Sequence, residues 1–112
     1  MSEDFYCDNV LNGRIEVDRI RETETVLAYH HTRPFWETHI VVIPKRHISS
    51  LLADDVNDIL LELFAVIREI AADVVKKKGA ARVLTNVGDY QESKHLHFHV
   101  YSGDRLKPDN PI

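Results

Sequence analysis

Three imidazoles stand within five residues at His95, His97 and His99, alternating with Leu96, Phe98 and Val100, in a chain that has seven histidines. Imidazole titrates close to neutrality, so such a row suits nucleophilic, acid–base or metal chemistry. Strict alternation is the period of an extended strand, whose successive side chains point to opposite faces. The three imidazoles are expected on one face, with Leu96, Phe98 and Val100 on the other. Alternate residues of a strand lie about 6.6–6.8 Å apart, which separates His95 from His99 by about 13 Å. A metal needs its ligand nitrogens about 2.0–2.1 Å from one centre. Two neighbours in the row satisfy that easily, a third only through strong curvature, and His39 or His47 could complete the set. A solvated row with no chemistry is the bland alternative. Nucleophilic catalysis fits better: one nitrogen of the middle residue, His97, attacks while the other donates to a backbone carbonyl that fixes the tautomer. The flanking rings would then donate to oxygens where negative charge accumulates, or protonate a leaving group.

The elements that must position this row follow from the patterning. Residues 8–12 suit a short helix stopped by Gly13. Ile15, Val17 and Ile20 suggest a first strand, and Val26–His30 a second after the polar turn of residues 22–25. Residues 31–38 form a loop broken by Pro34. The β-branched run His39-Ile40-Val41-Val42-Ile43, ended by Pro44, is a central strand. One long helix is clear, because Val56, Ile59, Leu60, Leu63, Ile67, Ile70, Ala71 and Val74 make a continuous apolar stripe. Asp54 and Asp55 suit its N-terminal end, Lys76, Lys77 and Lys78 its C-terminal end, and Gly79 stops it. Residues 82–87 give a fourth strand, Gly88-Asp89 a turn, and residues 95–101 the fifth strand. The expected fold class is therefore α+β: a five-stranded antiparallel sheet with one long helix and a short N-terminal helix. The helix covers one sheet face, and the imidazoles line the other, which must be partly open or covered by a partner or ligand.

The 112 residues are expected to form a single domain, with 44% hydrophobic residues and a formal net charge of −4. That balance argues against a nucleic-acid partner, which calls for a basic face, but leaves room for a small phosphate ligand. Cys7 is alone, so a reducing compartment is the natural reading. No apolar stretch reaches membrane-spanning length and the start Met1-Ser2-Glu3-Asp4 is acidic, so the expectation is a cytoplasmic protein without a membrane partner.

The segment His95-Leu96-His97-Phe98-His99-Val100-Tyr101 resembles the His-φ-His-φ-His-φ-φ signature (φ apolar) of the histidine triad family. Other segments agree in order and spacing: Leu27-Ala28-Tyr29-His30, Pro34 with Thr38-His39-Ile40-Val41-Val42-Ile43-Pro44-Lys45-Arg46-His47-Ile48, and Asn86-Val87-Gly88. The resemblance covers residues 5–103 and leaves a polar tail at 104–112. It implies a hydrolase or transferase acting on the phosphorus attached to a nucleoside. His97 would be the nucleophile forming a nucleotidyl-histidine that water releases, with His95 and His99 assisting at phosphate and leaving group. Asn86 would bond near the phosphate, and His39 would support the triad from the neighbouring strand. His31, Thr32, Tyr29, Tyr6, Val10 and Ser93 fall at the nucleotide, with Tyr29 as a stacking platform or else a core aromatic. The size matches the Hint-like branch, which implies a purine nucleoside phosphoramidase and a homodimer whose sheets join into one. A dinucleoside polyphosphate hydrolase, a binding or scaffolding module with vestigial activity, and a histidine-cluster metalloprotein are the alternatives.

Three departures from the family pattern stand out. The usual Asp that holds both ribose hydroxyls is replaced by His31, and an imidazole cannot grip two hydroxyls as a carboxylate does. The segment before the triad is shortened, so the usual phosphate-binding Ser corresponds to Glu92, with Ser93 as substitute. Phe35-Trp36 makes the loop after His31 bulky, as a lid, an interface, a base-stacking pair or simple packing. Some members join a Cys-x-x-Cys to two histidines in a structural zinc site. Only Cys7 is present here, with Asp4 at the partner spacing and His47 read as a surface or structural histidine, so no metal and no cofactor are expected.

Overall fold

The computed structural model describes residues 6–106. Five strands, β1 (Arg19–Glu22), β2 (Val26–His30), β3 (Trp36–Pro44), β4 (Arg82–Leu84) and β5 (Phe98–Arg105), form one antiparallel sheet in the order β1-β2-β3-β5-β4. The helix α1 (Leu60–Lys78) lies across one face, entered through a 3-10 turn at Asp54–Asp58. Gly79 ends it at φ 91°, a backbone conformation that costs glycine nothing, and its N–H bonds the Val75 carbonyl.

Alternation along the strands sorts residues between two cores. Val26 and Ala28 of β2, Ile40 and Val42 of β3, and Leu96, Phe98 and Val100 pack with Leu63, Val66, Ile67, Ile70 and Val74 of α1. On the opposite face, Leu27, Tyr29, Val41 and Ile43 pack with Tyr6 and Val10 of the N-terminal segment. Part of the imidazole-bearing face is thus covered by the chain's own beginning.

Several boundaries differ from the sequence expectation, each for a local reason. The N-terminal helix is a single π-type turn, Tyr6–Val10, in which the Leu11 N–H reaches the Tyr6 carbonyl at 2.7 Å. β1 lies four residues later than Ile15, as an exposed edge strand. β3 starts three residues before His39, at Trp36. β4 ends at Leu84, where Thr85 turns its hydroxyl to the His97 carbonyl at 2.7 Å. The triad strand begins at Phe98, not His95. Pro44 ends β3, its carbonyl accepts from His95 Nε2–H at 2.8 Å, and the Leu96 N–H pairs with the Ile48 carbonyl at 2.6 Å. The alternation survives, because Leu96 still joins the helix-side core while His95, His97 and His99 remain buried.

Leu96 is fully buried in the helix-side core directly between His95 and His97. Leu96→Ala should destabilise the protein by about 2–5 kcal/mol, the usual range for a large-to-small change in a core. Urea unfolding followed by circular dichroism measures this, and a loss below about 1 kcal/mol would contradict the packing described.

Candidate active site

Register places the site residues on one face of the sheet. His39 of β3 stands opposite Tyr101 and Val41 opposite His99, which makes His39 and His99 diagonal neighbours. Their rings meet, with His39 Nε2 and His99 Nδ1 2.8 Å apart. One step beyond β2, the His31 N–H bonds the His39 carbonyl at 2.8 Å, and the two rings stack with centroids 4.4 Å apart. His97 meets His99 edge-on at 5.2 Å, and the Tyr6 ring lies 4.9 Å from His97 on its other side.

The bonds assign the tautomers, since backbone amides only donate and carbonyls only accept. Phe35 N–H donates to His39 Nδ1 at 3.0 Å, so neutral His39 carries its proton on Nε2 and donates it to His99 Nδ1. His99 then carries its own proton on Nε2. His97 Nδ1–H donates to the His95 carbonyl at 2.8 Å, which leaves the lone pair on Nε2. His95 Nε2–H donates to the Pro44 carbonyl at 2.8 Å, while its Nδ1 faces Cys7 Sγ at 3.4 Å. Both nitrogens of His95 are engaged with protein, and its ring is fully buried. The main-chain oxygen of His95 holds the neighbouring His97 ring in place.

Burial favours the neutral form of His39, His97 and His99. It pushes His39 down to about 3, with His31 adding to the effect. It pushes His99 down to about 2, with His97, His39 and His31 adding. His97 is also lowered by burial, against the opposing hydrogen bond to the His95 carbonyl; the Glu92 charge raises it slightly. The Glu92 carboxylate is therefore felt at the His97 ring, although Glu92 itself is exposed.

The remaining expected residues fall as follows. Asn86 is half-buried two residues past β4, Ser93 is half-buried before the triad, and Thr32 is exposed beside His31. Val10 is buried in the second core, and Tyr6 is buried there against the rings of His95 and His97. Tyr29 is 2% exposed in the same core, and burial raises its phenol. The core alternative describes Tyr29; a stacking platform would need an exposed ring face. Phe35 packs on His31 and His39, and Trp36 on Tyr101 with Arg105 above it. The bulky pair is packing in this structure. A cleft of about 310 Å³ bordered by Ile20, His30, Thr38, Ile70 and Lys77 lies on the helix side, away from the row.

Residues 12–106 match the family model of the HIT domain. The chain belongs to the HIT family. An uncharacterised HIT-like protein of Helicobacter pylori is 36% identical over 104 residues, covering 88% of this chain and 95% of that protein. One from Azospirillum brasilense is 37% identical over 106 residues, covering 88% and 85%. A histidine triad protein from Clostridium difficile superposes with a TM-score of 0.77 at 32% identity, over 98% of each chain. A HIT family hydrolase from Legionella pneumophila superposes with a TM-score of 0.77 at 25% identity, over 95% of this chain and 97% of that one.

Three features of this HIT protein escaped the sequence reading. Thr85 and Gln91 brace the approach to the triad, the latter through its amide to the Ser49 carbonyl at 2.6 Å. The Phe35 amide sets the tautomer of His39, which residue types cannot reveal because the donor is main chain. Cys7, exposed His47 and buried His95 converge, their donor atoms all within 4.8 Å of one another. Cys7 and His47 stand far apart in the sequence, so only the fold shows that they converge with His95.

Neutral His39 and His99 make the fold acid-sensitive. Unfolded imidazoles near 6.5 take up protons that the folded rings refuse, so this stability is complete above pH 6.5 and is lost as pH falls toward 3. At pH 5 the loss should reach about 2 kcal/mol for each ring. Urea midpoints at pH 7 and pH 5 measure it, and His39→Gln should reduce the difference. Midpoints that do not change over that range would refute the burial argument.

Proposed function

We propose that this protein is a nucleotide hydrolase that cleaves the bond to the phosphorus attached to a nucleoside, as in a purine nucleoside phosphoramidate. The observation that carries this reading is the His97 tautomer: Nδ1–H is held by the His95 carbonyl, so the lone pair of a neutral ring resides on Nε2. Attack forms an N–P bond at His97 Nε2 and breaks the P–N bond, and the leaving amine takes a proton from solvent. The His99 Nε2–H, backed by the Phe35–His39–His99 relay, donates to a nonbridging oxygen as charge accumulates. Water then attacks the phosphorus, releasing the nucleoside monophosphate and restoring the His97 lone pair while its proton passes to solvent. The hydrolase name of the Legionella relative supports the reaction class.

A homodimer belongs to the same reading. Among the described residues β4 has only β5 beside it, and its outer edge would pair with a second copy and continue the sheet. Val83 on that strand, and Leu61 and Phe64 on α1, supply exposed apolar surface of the kind a partner covers. The cytoplasm is the proposed location, in keeping with the lone Cys7; no helix among the described residues is long and apolar enough to cross a membrane.

Zinc, expected absent from the lone cysteine, has donors that fit it in Cys7, His47 and His95. The His95 Nε2–H held by the Pro44 carbonyl is the usual outer-shell support of a metal-ligating imidazole and leaves Nδ1 to bind. When bound, zinc would supply a structural cross-link between the N-terminal segment and the residues before β5. Purification in zinc without an affinity metal column should yield about one ion per chain by elemental analysis, lost in Cys7→Ser. Metal-free wild type under those conditions would exclude the site.

The catalytic reading is tested by trapping. Mixed with a slowly turned-over adenosine 5′-phosphoramidate, the wild type should gain the mass of an adenylyl group and release AMP. His97→Ala should give neither, with activity reduced by at least about a thousandfold. A folded wild type that binds nucleotide yet forms no adduct would make the protein a binding module.

A further inference from the structure

The stretch of residues 95–97 that carries the reactive ring lies outside the sheet ladder, since β5 starts at Phe98. Its conformation decides where His97 Nε2 sits, because the ring is held through Nδ1 by the carbonyl of His95 in the same stretch. β5 runs between β3 and β4, so the stretch is flanked by the residues that follow each of those strands. On the β3 flank, the Pro44 carbonyl accepts from the His95 ring at 2.8 Å, and the Ile48 carbonyl accepts the Leu96 N–H at 2.6 Å. On the β4 flank, main-chain pairing ends with Leu84 opposite His99. The next residue, Thr85, is half-buried and turns its hydroxyl onto the His97 carbonyl at 2.7 Å. The two bonds from the β3 flank grip the residues before His97. The Thr85 bond grips His97 itself.

A threonine suits this task, because its β-branched side chain is stiff at χ1 and presents the hydroxyl with little freedom to lose. The bond goes to a main-chain oxygen, so it acts on where the ring sits. The tautomer is set separately, by the His95 carbonyl. In-line attack needs the reacting atoms about 3–3.5 Å apart, and a displacement of about 1 Å can cost a hundredfold in rate. Such precision depends on the groups that support the reacting residue as much as on that residue.

We propose that Thr85 is a positioning residue for the transfer step: its hydroxyl fixes the main chain at His97 and so the aim of Nε2 at phosphorus. This deepens the proposed function and rests on it, since His97 is the nucleophile there. Thr85 then serves formation of the N–P bond and leaves nucleotide binding unaffected.

Single-turnover kinetics on the full chain with adenosine 5′-phosphoramidate test this, reading the rate of His97 adenylylation and the half-saturating concentration. Thr85→Val keeps the shape and removes the donor. Its maximal rate should fall about ten- to a hundredfold. The half-saturating concentration, and AMP binding by equilibrium dialysis, should stay within about threefold of wild type. Thr85→Ser restores a donor and should recover the rate to within about fivefold of wild type. A bond that only stabilises the fold would lower the urea midpoint of Thr85→Val and leave the rate of the folded protein unchanged. Should Thr85→Val fail to unfold cooperatively, Thr85→Ala carries the same expectation. A wild-type rate in a folded variant without the hydroxyl, a loss confined to binding, or a Thr85→Ser as slow as Thr85→Val overturns the proposal. Any of these, with wild type still forming the adduct, would remove only this inference. No adduct in wild type would remove the proposed function and this inference with it.

Discussion

The hydrogen bond from His97 Nδ1 to the carbonyl of His95 is the interaction on which the rest of the site depends. It decides which nitrogen of the central imidazole bears a lone pair, and burial then keeps that lone pair from being lost to a proton. Neither effect suffices alone. A neutral ring in the other tautomer would present N–H to an electrophile, and a protonated ring would have no lone pair anywhere. The carbonyl is in turn held by the sequence around it. Leu96 is anchored in the helix-side core and bonded to Ile48, and the His95 ring is pinned between Pro44 and Cys7. Thr85 takes up the carbonyl of His97 itself. His97 is therefore fixed by main-chain and side-chain groups from separate parts of the chain.

The same logic orders the neighbouring rings. A backbone amide at Phe35 determines His39, and His39 determines His99, so one main-chain N–H fixes two imidazoles in succession. Antiparallel register makes this relay possible, because a one-residue slip between β3 and β5 would move His99 to the helix-side face. Packing of α1 thus supports chemistry it never touches. By burying Phe98 and Val100, the helix holds the strand in the register that brings His99 to His39.

Much of this was legible in the sequence, and what was not has a common origin. Period-2 patterning found β2 at its observed bounds, β3 as the central strand, and the separation of imidazoles from Leu96, Phe98 and Val100. Period-3.6 patterning and Gly79 found α1 and its end. The misplaced boundaries lie where main chain bonds to something other than a neighbouring strand, as at Leu96 and Ile48, and patterning of side chains carries no record of that. The family match adds identity for residues 12–106 without deciding any tautomer. Tyr29 is the instructive case: an aromatic in a strand looks the same on paper whether its ring meets a base or a core, and only the N-terminal segment folding over it decides.

Main-chain partners also explain how the two clusters on this face differ. His95 donates to a carbonyl, so its remaining nitrogen has a lone pair and faces Cys7. His31 and His39 accept from amides, so their remaining nitrogens bear protons when the rings are neutral. Donor atoms lie within 4.8 Å of one another in both clusters, one joining Cys7 to two histidines and the other made of three histidines. The distinction is whether the nearest main-chain group is C=O or N–H. In this protein that choice leaves a lone pair on the second nitrogen of His95 and protons on those of His31 and His39.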